Sequence, residues 1–158
     1  MNQNMKRCLK IGSIGERVVW DALQHNPNIR TVFDVRLAKK YQEFDVDFEI
    51  ELMNREIKWI EVKTDQRMHE TRNVFYEIQS NEHCGTIGCF EKTKADLMMI
   101  YNELTGIIYQ IDIKRLRQYV RTNREKLKLV SGGDNAKGFL INIDELIRQQ
   151  IAKELKYD

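Results

Sequence analysis

Two neighbouring segments with a period of two place the strongest constraint on the fold. In residues 44–52 the even-numbered positions are apolar and the odd-numbered positions are acidic, which gives FDVDFEIEL. Residues 57–64 read IKWIEVKT and are more apolar. A period of two is that of a β-strand, whose side chains alternate between its faces. The link of residues 53–56 is short enough for a hairpin, so the sequence predicts two antiparallel paired strands.

The charged residues of these strands indicate a site for a divalent cation. Glu61 and Lys63 share one face and project side by side, about 7 Å apart along the strand. Pairing of the strands could bring Asp47 beside them, with Asp45 as a competing acid. Two carboxylates and the carbonyl of Val62 are oxygen ligands that suit Mg²⁺ or Mn²⁺, and an ammonium group completes a site for phosphodiester hydrolysis. The alternative is an amphipathic strand that simply turns its charges outward.

The order of the acidic residues along the chain resembles that of a known family. Glu16 lies on the first predicted helix, Asp47 and the Glu61-x-Lys63 motif lie on successive strands, and Gln79 lies one strand later. This order resembles the PD-(D/E)xK nuclease superfamily, in particular a phage and bacterial or Holliday-junction-resolvase-like subgroup. The resemblance implies that Asp47 and Glu61 bind the metal, that Lys63 is the catalytic lysine, and that Glu16 and Gln79 assist catalysis.

The same resemblance implies an activity and a partner. We expect a Mg²⁺- or Mn²⁺-dependent endonuclease that hydrolyses DNA, with branched, phage or mobile-element DNA as substrates. The chain departs from the family pattern at Val46, where many members have a proline before the metal-binding aspartate. A non-catalytic DNA-binding or assembly module with the same fold is the alternative. Cutting of branched DNA would require a homodimer, because two strands are cut in concert.

The net charge of the chain gives little indication of a nucleic-acid partner, but the way the charges are distributed along it favours one. The formal net charge is only +2, but the acids concentrate in residues 43–56 and basic residues dominate residues 114–128. Arg117, Arg121 and Arg124 recur at helical spacing and predict one DNA-binding stripe. The alternative for such a run is a solvated helix face. Lys92 and Lys94 are further candidates for backbone contacts, which the family resemblance suggests.

The remaining pattern predicts one domain, residues 1–158, with a central mixed sheet flanked by helices, an α/β or α+β arrangement with a restriction-endonuclease-like core. We expect a first helix over residues 11–25 capped by Ser13, and a last helix over residues 145–155. Gln79 would lie on the active-site face if its strand, residues 73–79, pairs beside residues 57–64. No run of 18 apolar residues and no signal-peptide pattern is present, so we expect a cytoplasmic protein that does not enter a membrane.

Overall fold

A computed structural model describes residues 3–155 of the chain. Its helices are α1 Gln3–Gln24, α2 Lys39–Glu43, α3 Met68–Thr71, α4 Cys89–Lys92, α5 Ile113–Asn123 and α6 Ile143–Arg148. Its strands are β1 Ile29–Asp34, β2 Phe48–Leu52, β3 Ile57–Asp65, β4 Asn73–Asn81, β5 Thr86–Ile87, β6 Leu97–Asn102, β7 Ile108–Asp112, β8 Leu129–Ser131, β9 Lys137–Asn142 and β10 Ala152–Leu155.

The strands form two sheets, of which the larger is mixed. Its six strands run in the order β1-β2-β3-β6-β7-β10. The predicted hairpin is confirmed, because β2 and β3 pair antiparallel with Phe48 opposite Ile60. On its other side β3 pairs parallel with β6. The strand that carries the predicted motif is therefore internal, and the predicted class, a central mixed sheet flanked by helices, is confirmed.

Apolar side chains cover both faces of the large sheet. On one face α1 contributes Val19 and Leu23 to a core with Phe48, Ile60 and Val62. On the other face a larger core joins the sheet to α5, α6 and the four-stranded sheet β5-β4-β9-β8. The alternation of β3 explains this arrangement, because Ile60 and Val62 point to α1 while Glu61 and Lys63 point to the opposite face.

Three local expectations were wrong. Ser13 does not cap a helix, because α1 begins earlier and the Ser13 hydroxyl donates to the carbonyl of Lys10 within it. The last helix is shorter than predicted, because Gln150 has a φ of 57° and the chain turns there into β10, which pairs with β7. Residues 44–47 do not extend the strand, because Asp45 has a φ of 50° and ends the segment that follows α2.

The fourth difference concerns the strand that carries Gln79. β4 pairs with β5 and β9 in the second sheet and does not lie beside β3. Period-two alternation predicts a strand but carries no information about which strand pairs with it, and the neighbour of β3 is the distant β6. Among the described residues, no helix is both long and apolar enough to span a membrane.

Helix α1 lies so close to β3 that a glycine is required at one point of contact. A Cβ on Gly15 would lie 3.2 Å from the Cβ of Thr64 and would overlap its hydroxyl. Gly12, in the same helix, has no other atom within 4 Å of such a Cβ. The approach at Gly15 fixes the position of the next residue, Glu16, against the sheet.

These two glycines give a matched test of the packing. We expect Gly12→Ala to raise the free energy of unfolding by up to about 1 kcal/mol, the usual gain of alanine over glycine in a helix. Gly15→Ala should instead lower it by about 1–3 kcal/mol, since overpacking forces helix and strand apart. Urea denaturation of both variants measures the difference. Equal stabilisation by both substitutions would contradict the close approach of α1 to β3.

Candidate active site at the end of the β2–β3 hairpin

Three hydrogen bonds hold Asp47 where β2 and β3 separate. Its N–H donates to the carbonyl of Ile60 at 2.8 Å, and its own carbonyl accepts from the N–H of Val35 at 3.1 Å. Its carboxylate oxygen Oδ2 accepts from the N–H of Val62 at 2.7 Å. Because the side chain is bound to the β3 backbone, the carboxylate stays at the side of β3 and does not turn to solvent.

Glu61 lies opposite Asp47, one step beyond the Phe48–Ile60 pair in the antiparallel register. The residue is 3% exposed. Its Oε1 lies 2.5 Å from Nζ of Lys63, whose side chain is 42% exposed. Its Oε2 is buried and has no hydrogen-bond partner among the described residues. A buried carboxylate oxygen without a donor is unfavourable, so this atom is available for a ligand that supplies positive charge.

An aromatic cluster holds the segment that approaches Asp47 on the same face of the sheet. Trp59 stacks on Phe44 with ring centroids 6.1 Å apart and makes an edge contact with Tyr41 at 5.4 Å. The Trp59 indole and the Tyr41 hydroxyl both donate to the carboxylate of Glu49. This packing directs the turn at Asp45 towards the site.

Glu16 reaches the site from α1 through an arginine. Nη1 of Arg36 lies 2.5 Å from the Glu16 carboxylate, and the rest of the guanidinium binds Asp34. The guanidinium also lies over the ring of Phe48, 5.3 Å from its centroid. Glu16 therefore makes an ion pair beside the site.

These side chains line one cavity of about 260 Å³. The residues that line it are Glu16, Arg36, Gln42, Asp45, Val46, Asp47, Glu61, Val62 and Lys63. Four of the five residues expected to act in catalysis therefore lie together. Gln79 does not line this cavity, because its strand belongs to the second sheet.

The residues expected to contact DNA have different surroundings. Lys94 and Arg121 are exposed, as is Arg124, which follows α5 and lies over the ring of Phe139. Arg117 is partly buried and donates to the carbonyls of Phe90 and Thr93. Its guanidinium is therefore engaged by the backbone around α4, so only Arg121 and Arg124 of the predicted stripe remain exposed.

Sequence reasoning missed three neighbours of the site: Arg36, Gln42 and Cys89. Arg36 and Gln42 line the cavity, and the Cys89 thiol lies near enough to Lys63 to affect its pKa. Arg36 follows β1 and Gln42 belongs to α2, and neither has a neighbour in sequence that suggests a site. A sequence indicates a site only where the residues that form it lie close together in the chain, and the site residues near these three are distant in sequence.

Burial sets the electrostatics of the site. Desolvation raises the pKa of Glu61 to about 7, although the charge of Lys63 opposes this. Desolvation also raises the pKa of Asp47, against the effect of the Val62 N–H bond. For Lys63, burial alone would lower the pKa, but the Glu61 carboxylate outweighs it and the pKa is raised. Lys63 is therefore cationic at neutral pH, while Glu61 is partly protonated.

The donor set fits a hard divalent cation. Asp47 and Glu61 offer carboxylate oxygens, and the Val62 carbonyl points to the same side of β3 as the Val62 N–H that binds Asp47. No group of three or more His, Cys, Asp or Glu side chains in the described part of the chain is arranged to hold a metal by itself. Mg²⁺ commonly takes only one or two carboxylates and completes its shell with water and phosphate oxygens. Glu61 Oε2 has no hydrogen-bond partner among the described residues, and such a cation would bind to this oxygen.

Comparisons with known proteins give little to set beside this geometry. No family model matches the chain, and no curated protein matches it. Among solved structures, the chain is similar to a bacterial homing endonuclease, I-Ssp6803I. The TM-score is 0.47 and the sequence identity 14%, and the match covers 83% of this chain and 76% of the other.

The raised pKa of Glu61 makes stability depend on pH. Its folded pKa of about 7 lies above the ordinary value of 4.5, so the folded protein holds the proton more tightly than the unfolded chain. The contribution of Glu61 to stability is therefore fully present below about pH 4.5 and is lost as pH rises to about 7, by roughly 3 kcal/mol at 1.36 kcal/mol per unit. Asp47 contributes in the same direction.

We expect Glu61→Gln to remove most of this loss and to stabilise the metal-free protein at pH 8. Mg²⁺ should stabilise the wild type at that pH but not the variant, because only the wild type has the carboxylate. Chemical denaturation with chelator and with Mg²⁺ measures both effects. Glu56→Gln, in the same hairpin, should keep the wild-type fall in stability between about pH 5 and pH 7, because Lys58 lowers the pKa of Glu56 and moves its titration to more acid pH. A Glu61→Gln protein with the wild-type slope would show that Glu61 is not the group responsible.

Proposed function

We propose that the chain is a divalent-metal-dependent endonuclease that hydrolyses phosphodiester bonds in DNA, of the PD-(D/E)xK type. The observation that carries the proposal is the buried Oε2 of Glu61, which has no hydrogen-bond partner in the described part of the chain and lies in a residue opposite Asp47 and next to the ammonium group of Lys63. A buried carboxylate with only one oxygen paired destabilises a fold unless a ligand binds the other oxygen.

In this proposal Asp47 and Glu61 hold Mg²⁺ or Mn²⁺, with the Val62 carbonyl as a further ligand. When bound, the cation would polarise the scissile phosphate, lower the pKa of water and stabilise the leaving oxygen. Asp47 is anchored to the Val62 N–H, so its carboxylate needs little reorganisation to bind. Glu61 is already paired through one oxygen, which leaves the other for the cation.

Lys63 acts as a fixed cation and not as a base. Its raised pKa keeps the ammonium protonated at neutral pH. The group can therefore donate a hydrogen bond to the attacking water and offset the negative charge that develops on the phosphate. Its side chain is 42% exposed, which gives substrate access to it at the mouth of the cavity.

DNA is the substrate that the surface charge favours. Arg121 and Arg124 are exposed on and beside α5, and Lys94 is exposed close to the turn at Asp45. Dispersed cations of this kind bind a phosphate backbone without reading its sequence. The alternative, a non-catalytic DNA-binding module of the same fold, shares this surface but has no use for a desolvated carboxylate beside a lysine.

Cleavage assays on plasmid, linear, single-stranded and four-way-junction DNA test the proposal and the form of the substrate together. We expect cleavage with Mg²⁺ or Mn²⁺, binding without cleavage with Ca²⁺, and no cleavage after chelation, because oxygen ligands select hard cations. Asp47→Asn should abolish cleavage while leaving DNA binding. Cleavage that survives exhaustive chelation would rule out the mechanism, and binding without cleavage of any substrate would favour the non-catalytic alternative.

Loss of the Lys63 ammonium separates catalysis from binding. Lys63→Ala should lower the single-turnover cleavage rate by roughly 10²-fold or more, the effect of losing one preorganised electrostatic group. DNA affinity should change little, because one cation is a small share of many phosphate contacts. Rate and affinity are measured under the same salt conditions. An equal loss in both would make Lys63 a phosphate anchor.

A further inference from the structure

Two residues to which the sequence assigns separate roles are bound to each other. Asp45 is an alternative acid for the cation, and Lys92 is a candidate for contact with DNA phosphates. In the structure Nζ of Lys92 lies 2.9 Å from Oδ1 of Asp45. The Asp45 side chain is 23% exposed and that of Lys92 is 48% exposed, so the pair lies at the surface of the cavity that Asp45 helps to line.

The backbone at Asp45 is held by hydrogen bonds that do not involve its carboxylate. The fully buried Thr93 donates from its hydroxyl to the carbonyl of Asp45 at 2.8 Å, and the N–H of Lys94 donates to the carbonyl of Phe44 at 2.9 Å. Arg117 in turn donates to the Thr93 carbonyl at 2.7 Å. These bonds keep Asp45 beside the site, and they do not depend on which group its carboxylate contacts.

The carboxylate of Asp45 also acts on Glu61. It lines the same cavity, and its charge contributes to the raised pKa of Glu61. The buried Oε2 of Glu61 has no partner of its own among the described residues. A cation bound there would be attracted by the carboxylates of Asp47 and Glu61, and also by that of Asp45 if Lys92 did not neutralise it.

We infer that Lys92 acts as a latch: its ion pair with Asp45 keeps that carboxylate from acting on the cation site until Lys92 binds a DNA backbone phosphate instead. The inference rests on the proposed function. An ion pair between partly exposed side chains is worth little, so a phosphate can displace it at small cost. Released Asp45 then adds its negative charge to the site, and the cation binds more tightly when DNA is present. By linkage, the cation must raise the affinity for DNA by the same factor.

The latch can be tested without any cleavage. Binding of Mn²⁺ to the DNA-free protein is followed by the electron paramagnetic resonance signal of the free ion. We expect Lys92→Met to bind Mn²⁺ roughly tenfold more tightly than the wild type, the size of one interaction between charges near a protein surface. Lys94→Met removes the same charge two residues away but not the contact with Asp45, and should change the affinity by less than about threefold.

The carboxylate that Lys92 releases is identified by a double variant. The increase in Mn²⁺ affinity caused by Lys92→Met should vanish when Asp45→Asn is added, because the carboxylate that Lys92→Met releases is then absent. In a second arm, Ca²⁺ binding is titrated calorimetrically with and without a short DNA duplex. DNA should raise the Ca²⁺ affinity of the wild type and should raise that of Lys92→Met much less.

Three outcomes overturn the latch. The first is a Lys92→Met protein with wild-type Mn²⁺ affinity, and the second is a gain that persists in the Asp45→Asn double variant. The third is a Ca²⁺ affinity that DNA raises equally in both proteins. Any of these leaves the proposed function standing if Asp47→Asn still weakens Mn²⁺ binding. An Asp47→Asn protein that binds Mn²⁺ like the wild type removes the cation site, and the proposed function fails together with the latch.

Discussion

The hydrogen bond from the Val62 N–H to the Asp47 carboxylate determines where β2 and β3 part. In a longer strand, that N–H would bind a backbone carbonyl of β2. The side chain takes its place, so β3 loses no hydrogen bond when the chain before Phe48 bends away. Because the Asp47 side chain replaces a backbone carbonyl as acceptor, residues 44–46 can turn at Asp45 and leave the cavity beside Glu61.

The rest of the structure holds the residues around this opening in place. On one side α1 packs closely on β3 at Gly15, and on the other the aromatic cluster around Trp59 fixes the turn. The cost is a carboxylate that is hard to ionise, since Glu61 is buried and its Oε2 has no hydrogen-bond partner among the described residues. Under the proposed function, a bound cation would offset this cost.

The parts of the fold that follow from sequence are the local ones. The β2–β3 hairpin and the shared face of Glu61 and Lys63 follow from a period of two and a short link. The cap of α5 by Asp112 follows in the same way, since its side chain accepts from the N–H of Arg115. In each case the interacting groups lie close together in the chain.

What could not be predicted depends on distant partners. The division into two sheets rests on the pairing of β4 with β9, which no local pattern specifies. The same holds for the ion pair of Arg36 with Glu16 and for that of Lys92 with Asp45. The left-handed turn at Asp45 interrupts a pattern that, read locally, continues as strand. Tertiary contacts override the local preference there.

The parallel pairing of β3 with β6 has a consequence for how the chain folds. The hairpin β2–β3 can form early, because its strands are neighbours in sequence. Strand β6 can join only after the chain between Asp65 and Leu97 has closed a long loop that contains β4, β5 and α4. Closure of such a loop is slow because the chain loses conformational entropy before the stabilising contacts between β3 and β6 form. Glu61 is therefore enclosed in a late step of folding, so the hairpin forms while its acids are still hydrated.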